Sequence, residues 1–185
     1  MNTMKKSLLL LLPAALLLGS CNKDEQNVAP TGDNEAITTA TLTLTSQTTP
    51  VQTVTATVEN LNTSADFSKA ALLLRPNTTY TGTITLLDKT KTPTLDVSAA
   101  VKKEANEHLV VYTPAPAALL TVTITDKDTN PAPGPFPLGL ATQIRTAAAG
   151  TGTLRVVLRH QPDVKNGTAT PGTSDLDITF PVVVQ

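Results

Sequence analysis

From Ala40 to Thr45 the chain alternates without a break, with Ala40, Leu42 and Leu44 on one side and Thr41, Thr43 and Thr45 on the other. A period of two places one set on each face of an extended backbone, so the segment reads as a half-buried β-strand. The pattern returns in Val54, Ala56 and Val58 against Thr53, Thr55 and Thr57, and in Tyr80, Gly82, Ile84 and Leu86 against Thr81, Thr83 and Thr85. It returns again in Leu120, Val122 and Ile124 against Thr121, Thr123 and Thr125. Threonine suits such a face because its branched β-carbon favours extended backbone while its hydroxyl stays hydrated. Further strands are expected from Ala70 to Leu74, Leu109 to Tyr112, Thr153 to Arg159 and Leu176 to Val184, with a weaker one from Leu140 to Thr146. Pro181 places the last strand at an edge or a bulge. The one helical candidate runs from about Ala99 to Glu107, with Ser98 or Asp96 as N-cap.

Many short strands joined by segments rich in Pro, Gly, Asn and Asp predict an all-β fold. The expected form is an immunoglobulin-like or transthyretin-like antiparallel β-sandwich with one short helix, and a closed barrel is the alternative. Tryptophan is absent and the aromatics are only Tyr80, Tyr112, Phe67, Phe136 and Phe180, so the core must be aliphatic. The same scarcity argues against surfaces that bind sugars or single strands by stacking.

Lys5 and Lys6 precede an apolar stretch from Leu8 to Leu18 that contains Pro13 and ends in Gly19 and Ser20. This is the pattern of an export signal over residues 1–20, and it is too short to span a bilayer, which takes about 20 apolar residues. Leu18, Gly19, Ser20 and Cys21 match the lipobox of bacterial lipoproteins, in which the cysteine sulfur is acylated and becomes the new amino terminus. Cys21 is the only cysteine, which rules out an intrachain disulfide and leaves attachment as its expected role. Lys23, Asp24 and Glu25 resemble the short Lys-plus-acidic signal that sends Bacteroidota lipoproteins to the outer face of the outer membrane. Residues 21–35 then read as the lipidated cysteine and a flexible tether, and residues 36–185 as a single domain. The net charge of −1 becomes −3 once Lys5 and Lys6 are removed, which argues against nucleic acid as a partner.

Successive strands of a sandwich usually run in opposite directions. Counted that way, three features share one pole: His108 with Glu104 and Glu107 before one strand, the loop from Asp126 to Gly139, and His160 with Asp163 at the end of another. His108 and His160 are the only histidines. Two imidazoles with carboxylates are a ligand set for zinc or copper, and these five residues form the candidate metal site. The commoner alternative is that each histidine ends a strand and makes a local hydrogen bond. Asp126, Asp128 and Asn130 occupy the first, third and fifth places of a calcium loop, but Pro131 and Pro137 stand where that loop needs glycine and glutamate. The run Gly150, Thr151, Gly152 reads as a hairpin turn. Asp175 and Asp177 alternate along a strand and so are expected on one face. No nucleophile elbow, phosphate loop, H-E-x-x-H or C-x-x-C motif is present, and the chain is read as no enzyme.

Five runs carry a resemblance: Leu74 to Gly82 (LRPNTTYTG), Glu104 to His108, Pro137 to Leu140 (PLGL), Gly152 to Lys165 (GTLRVVLRHQPDVK) and Asp175 to Val182. Together they resemble a family of small, uncharacterised Bacteroidota lipoproteins often labelled "type 1 periplasmic binding fold superfamily" and often encoded beside TonB-dependent receptors. The label itself implies a two-lobed α/β protein, which this short, strand-rich chain does not match. The resemblance implies that His108 and the group Arg159, His160, Pro162 and Lys165 belong to recurring patterns. It also implies a surface lipoprotein acting as a non-catalytic binding or accessory module for a nutrient or metal transporter. A structural or adhesive surface domain is the alternative.

Overall fold

The computed structural model describes residues 35–185; the export signal, Cys21, Lys23, Asp24, Glu25 and the rest of the expected tether before Glu35 lie outside them. Two sheets form. The larger takes β1 (Thr39–Ser46), β2 (Thr53–Glu59), β3 (Asp66–Lys69), β5 (Thr79–Asp88), β8 (Leu120–Ile124) and β9 (Ala141–Thr146), in the order β3-β2-β1-β5-β9-β8. The two-residue β6 (Leu95–Asp96) pairs with β5. The smaller sheet takes β4 (Leu72–Leu74), β7 (His108–Ala115), β10 (Gly150–His160) and β11 (Thr173–Val184), in the order β4-β11-β10-β7. A mostly antiparallel two-sheet fold is therefore the observed architecture, with one parallel pair, β4 with β11.

The alternation does what the period dictates. Thr41 pairs with Thr57 and Thr85, Thr43 with Thr55 and Thr83, and Thr45 with Thr53 and Thr81, so three rows of threonine cross β2, β1 and β5 on the outer face. On the inner face Ala40, Leu42, Leu44, Ala56, Val58, Ile84 and Leu86 are buried against Leu154, Val156, Leu158, Ile178 and Phe180 of the smaller sheet. Each buried Leu, Ile or Val contributes about 1.5–3 kcal/mol. The core is aliphatic apart from Phe180 and Tyr80. The Tyr80 hydroxyl donates to Gln52 Oε1 at 2.6 Å and accepts from the Arg75 amide at 2.8 Å, which offsets the cost of burying it.

Four local expectations change. The run from Gly150 to Gly152 is not a turn but the start of β10. A Cβ on Gly152 would lie 2.3 Å from the Ala115 carbonyl oxygen, so the residue is glycine because another backbone passes close by. The helix α1 spans Val97–Lys103, starting two residues earlier than the spacing suggests, and of the two candidate caps Asp96 serves, accepting from the Ala99 amide at 3.2 Å. Ser98 instead accepts from the Leu86 amide at 2.6 Å and ties the helix to β5, with Val97 and Val101 buried. A 3₁₀ turn, Ala105–Glu107, carries the chain from α1 into β7. Strands β3 and β6 were not expected; β3 is exposed along its whole length, so no buried side gives it a period.

The position of the histidines follows from this register. Along β10 the inward residues are Leu154, Val156 and Leu158, and the next inward position is His160. On β7 the matching positions are Val110 and His108, and His108 pairs directly with His160. The inner face of the smaller sheet is thus apolar until its last layer, which is imidazole.

Candidate functional site

Directly opposed residues on one face of a sheet bring their side chains together. The His108 and His160 rings accordingly stack, with centroids 4.9 Å apart and planes within 12° of parallel. His108 is fully buried and His160 nearly so. His108 Nδ1 lies 3.1 Å from the Glu104 carbonyl oxygen, a contact that requires Nδ1 to carry the proton and leaves Nε2 as a bare acceptor. Burial, followed by the neighbouring His160, holds the His108 pKa below its ordinary value, so the ring is neutral at neutral pH.

His108 Nε2 faces Asp175 Oδ2 at 3.7 Å. That separation is too long for a hydrogen bond, and among the described residues neither Nε2 nor either carboxylate oxygen has a hydrogen-bond partner. Both side chains are buried, at 1% and 0% exposure. Asp175 reaches this place because of a bulge. Leu158 pairs with Leu176 and Arg159 with Ser174, so Asp175 is the extra residue on β11 and its side chain turns inward beside that of Leu176. Asp177 does not share its face, as strict alternation would have required: it is exposed and accepts both Arg155 Nε, at 2.8 Å, and an Arg155 terminal nitrogen. Desolvation, with the charge of Glu35 adding to it and His160, the nearby Glu35 backbone amide and Arg159 opposing it, pushes the Asp175 carboxyl up to about 6.

Glu35 and Glu104 close the pole. One carboxylate oxygen from each and a ring nitrogen of His108 lie within 4.8 Å of one another. Glu35 is half-buried, and burial together with the Glu104 charge raises its pKa. Outside this group, His160 Nε2 lies 3.7 Å from Glu107 Oε2, on the solvent side.

The surrounding loops are pinned hard. Asp128 Oδ2 accepts from Lys165 Nζ at 2.9 Å in a fully buried ion pair, and Lys165 also donates to the Ala105 carbonyl at 2.8 Å. Burial alone would raise the Asp128 pKa, but the Lys165 ammonium, the Asn130 side chain and the Phe136 and Asn130 amides outweigh it and hold the carboxylate low. Asp126 accepts from the amides of Gly139 and Leu140. The acids of the calcium-like loop thus organise the loop itself, with a lysine ammonium as their internal cation. The Gln161 amide donates to the Glu107 carbonyl at 2.6 Å, and its side chain donates to the carbonyls of Thr168 and Pro171. Arg159 donates to the Pro171 and Gly172 carbonyls and the Ser174 hydroxyl. Gly172 has φ +78°, and a Cβ there would sit 1.9 Å from the His160 carbonyl oxygen, so only glycine lets the loop return to the bulge.

Of the five candidate ligands, the structure brings His108, His160, Glu104 and Glu107 to one pole, together with the Asp126–Gly139 loop through Asn106, whose side-chain oxygen accepts from Thr129 and whose carbonyl accepts from Asn130. Asp163 is not among them: it is exposed in the turn after β10 at φ 60°, and its carboxylate meets neither imidazole. Sequence reasoning left Glu35 in the tether and placed Asp175 on one face with Asp177, apart from the histidines. A bulge gives no periodic signal, but Asp175 does lie on the strand that pairs with His160. Lone pairs on an imidazole lie in the ring plane, so one ion sits in the plane of only one of two parallel rings. The stacked pair therefore presents one ligand, His108, with His160 packed behind it. No family model, curated protein or solved structure matches this chain.

Proposed function

We propose that the chain is a lipid-anchored outer-membrane protein facing the cell surface, where its sandwich works as a non-catalytic binding or accessory module for a TonB-dependent receptor. The lipobox at Cys21, the Lys23-Asp24-Glu25 signal and the family resemblance support the address. The binding role rests on one observation: His108 Nε2 and the Asp175 carboxylate face each other, buried and without a hydrogen-bond partner among the described residues. Leaving such groups unsatisfied costs about 1–3 kcal/mol each, more for a charge, and a domain built only as a spacer gains nothing from keeping them.

Pull-down of the tagged chain from detergent-solubilised outer membrane tests the proposal. Co-purification of a TonB-dependent receptor, with receptor-dependent uptake lost on deletion, is the expected result. Recovery of no receptor together with unchanged uptake overturns it. The threonine rows on β2, β1 and β5 support a second reading, a structural or adhesive surface domain. That reading requires cell adhesion to fall when Thr43, Thr55 and Thr83 are replaced together by lysine, while His108 and Asp175 variants adhere normally.

A further inference from the structure

We propose that the pole binds one divalent ion of the zinc class, held by His108 Nε2 and carboxylates of Glu35, Glu104 and Asp175. This deepens the reading of the domain as a binding module and rests on it only for the question of what the ion is for. Four observations carry it. The Glu104 carbonyl fixes the protonated nitrogen of His108, which is how a histidine ligand is commonly oriented from behind, and the other nitrogen is left bare and buried. The 3.7 Å between Nε2 and Asp175 Oδ2 exceeds a hydrogen bond. It lies close to the separation of about 3.3 Å between two ligand atoms on a tetrahedral ion with bonds of about 2.0–2.1 Å. Glu35 and Glu104 add two carboxylates that lie within 4.8 Å of each other and of a nitrogen of the same ring; the Asp175 carboxylate stands outside that group and approaches the ring on its Nε2 side.

The donor chemistry selects the ion. One neutral imidazole with carboxylates suits zinc and its transition-metal neighbours, whereas calcium and magnesium prefer all-oxygen shells. The calcium-like loop is no competitor, since Asp126 and Asp128 are already engaged by backbone amides and Lys165. Three acids around one neutral histidine also leave excess negative charge for a dication to neutralise. Glu104 is exposed at the C-cap of α1, so the ion enters from the solvent side. The rigid half of the site is His108 with Asp175, set by strand register and bulge.

The test is calorimetric titration of the purified, chelator-stripped full chain with zinc chloride and, separately, calcium chloride, paired with the visible spectrum of the cobalt(II)-loaded chain. Zinc should bind at one ion per chain and calcium should not, and cobalt should give the intense d–d bands of a four-coordinate site. Glu35→Gln and Glu104→Gln, both at positions the core does not use, should each weaken zinc by about tenfold or more without moving the melting temperature of the ion-free chain, and Asp175→Asn should weaken it further. Absence of zinc binding, equal binding of calcium, or zinc affinity unchanged in all three variants overturns the assignment. Receptor capture that survives in a chain unable to bind zinc would remove the ion and leave the accessory role standing. Zinc binding without any receptor partner would do the reverse.

Discussion

On the outer face of the larger sheet, Thr41 and Thr57 share a hydrogen bond at 3.2 Å, and every row repeats the one beside it. At the pole, β11 breaks its repeat with a bulge, two buried polar groups face each other with no hydrogen-bond partner among the described residues, and three loops are clamped by Asp128, Arg159 and Gln161. The first region is regular and its polar groups are hydrated or satisfied. In the second, a firmly hydrogen-bonded frame surrounds a small unsatisfied centre. The contrast separates what holds the fold from what the fold holds: threonine rows are replaceable one at a time, whereas the pole is a scaffold arranged around groups that do not help the protein to fold.

The largest effect should come from the frame. Asp128→Ala leaves Lys165 buried without its partner and should cost about 3–5 kcal/mol in urea unfolding. Because the Asp128 carboxylate is held below its ordinary pKa, the stability it contributes is fully present above the unfolded value near 3.9 and is lost as the pH falls through the folded value. Unfolding midpoints should therefore drop on acidification below about pH 4 more steeply in the wild type than in Asp128→Ala. Equal slopes would mean that the buried pair is not what clamps the pole.

Beneath the threonine rows, Leu42→Ala opens a cavity at a fully buried position and should cost about 2–4 kcal/mol by the same assay. On the surface directly above, Thr43→Ala should stay within about 0.5 kcal/mol. If the threonine change approached the leucine change, the outer face and not the core would be holding the sheet together. Between these lies the exposed Arg155–Asp177 pair, for which a double-mutant cycle should return a coupling of about 0.2–1 kcal/mol. A larger value would make the smaller sheet's outer face a structural element in its own right.

The strands at Thr39–Ser46, Thr53–Glu59, Thr79–Asp88 and Leu120–Ile124 were legible because one-sided burial writes a period of two into the sequence. Asp66–Lys69 was not, since an edge strand exposed on both sides carries no such record, and Gly150–Gly152 misled because close backbone approach and tight turning ask for the same residue. The convergence of His108 and His160 followed from counting strand directions. Asp175 did not, because a single inserted residue reverses which way a side chain points while the surrounding sequence still alternates. Glu35 escaped because it precedes the first strand in a polar stretch, where only the folded domain reveals what the chain lies against. Asp163 was chosen for its closeness to His160 in sequence, and the turn at φ 60° points it elsewhere.

The unfolding free energies of the wild-type chain and Asp175→Asn, each measured in chelator and again in saturating zinc, decide whether the buried pole is built around an ion. Without the ion, replacing a buried, unpaired carboxylate by its neutral isostere should stabilise the chain by about 1–3 kcal/mol. With zinc the order should reverse, because only the wild type gains the full binding energy of the ion. Crossing of the two curves is the predicted result; a variant that is the less stable in chelator, or the more stable in zinc, would contradict the account.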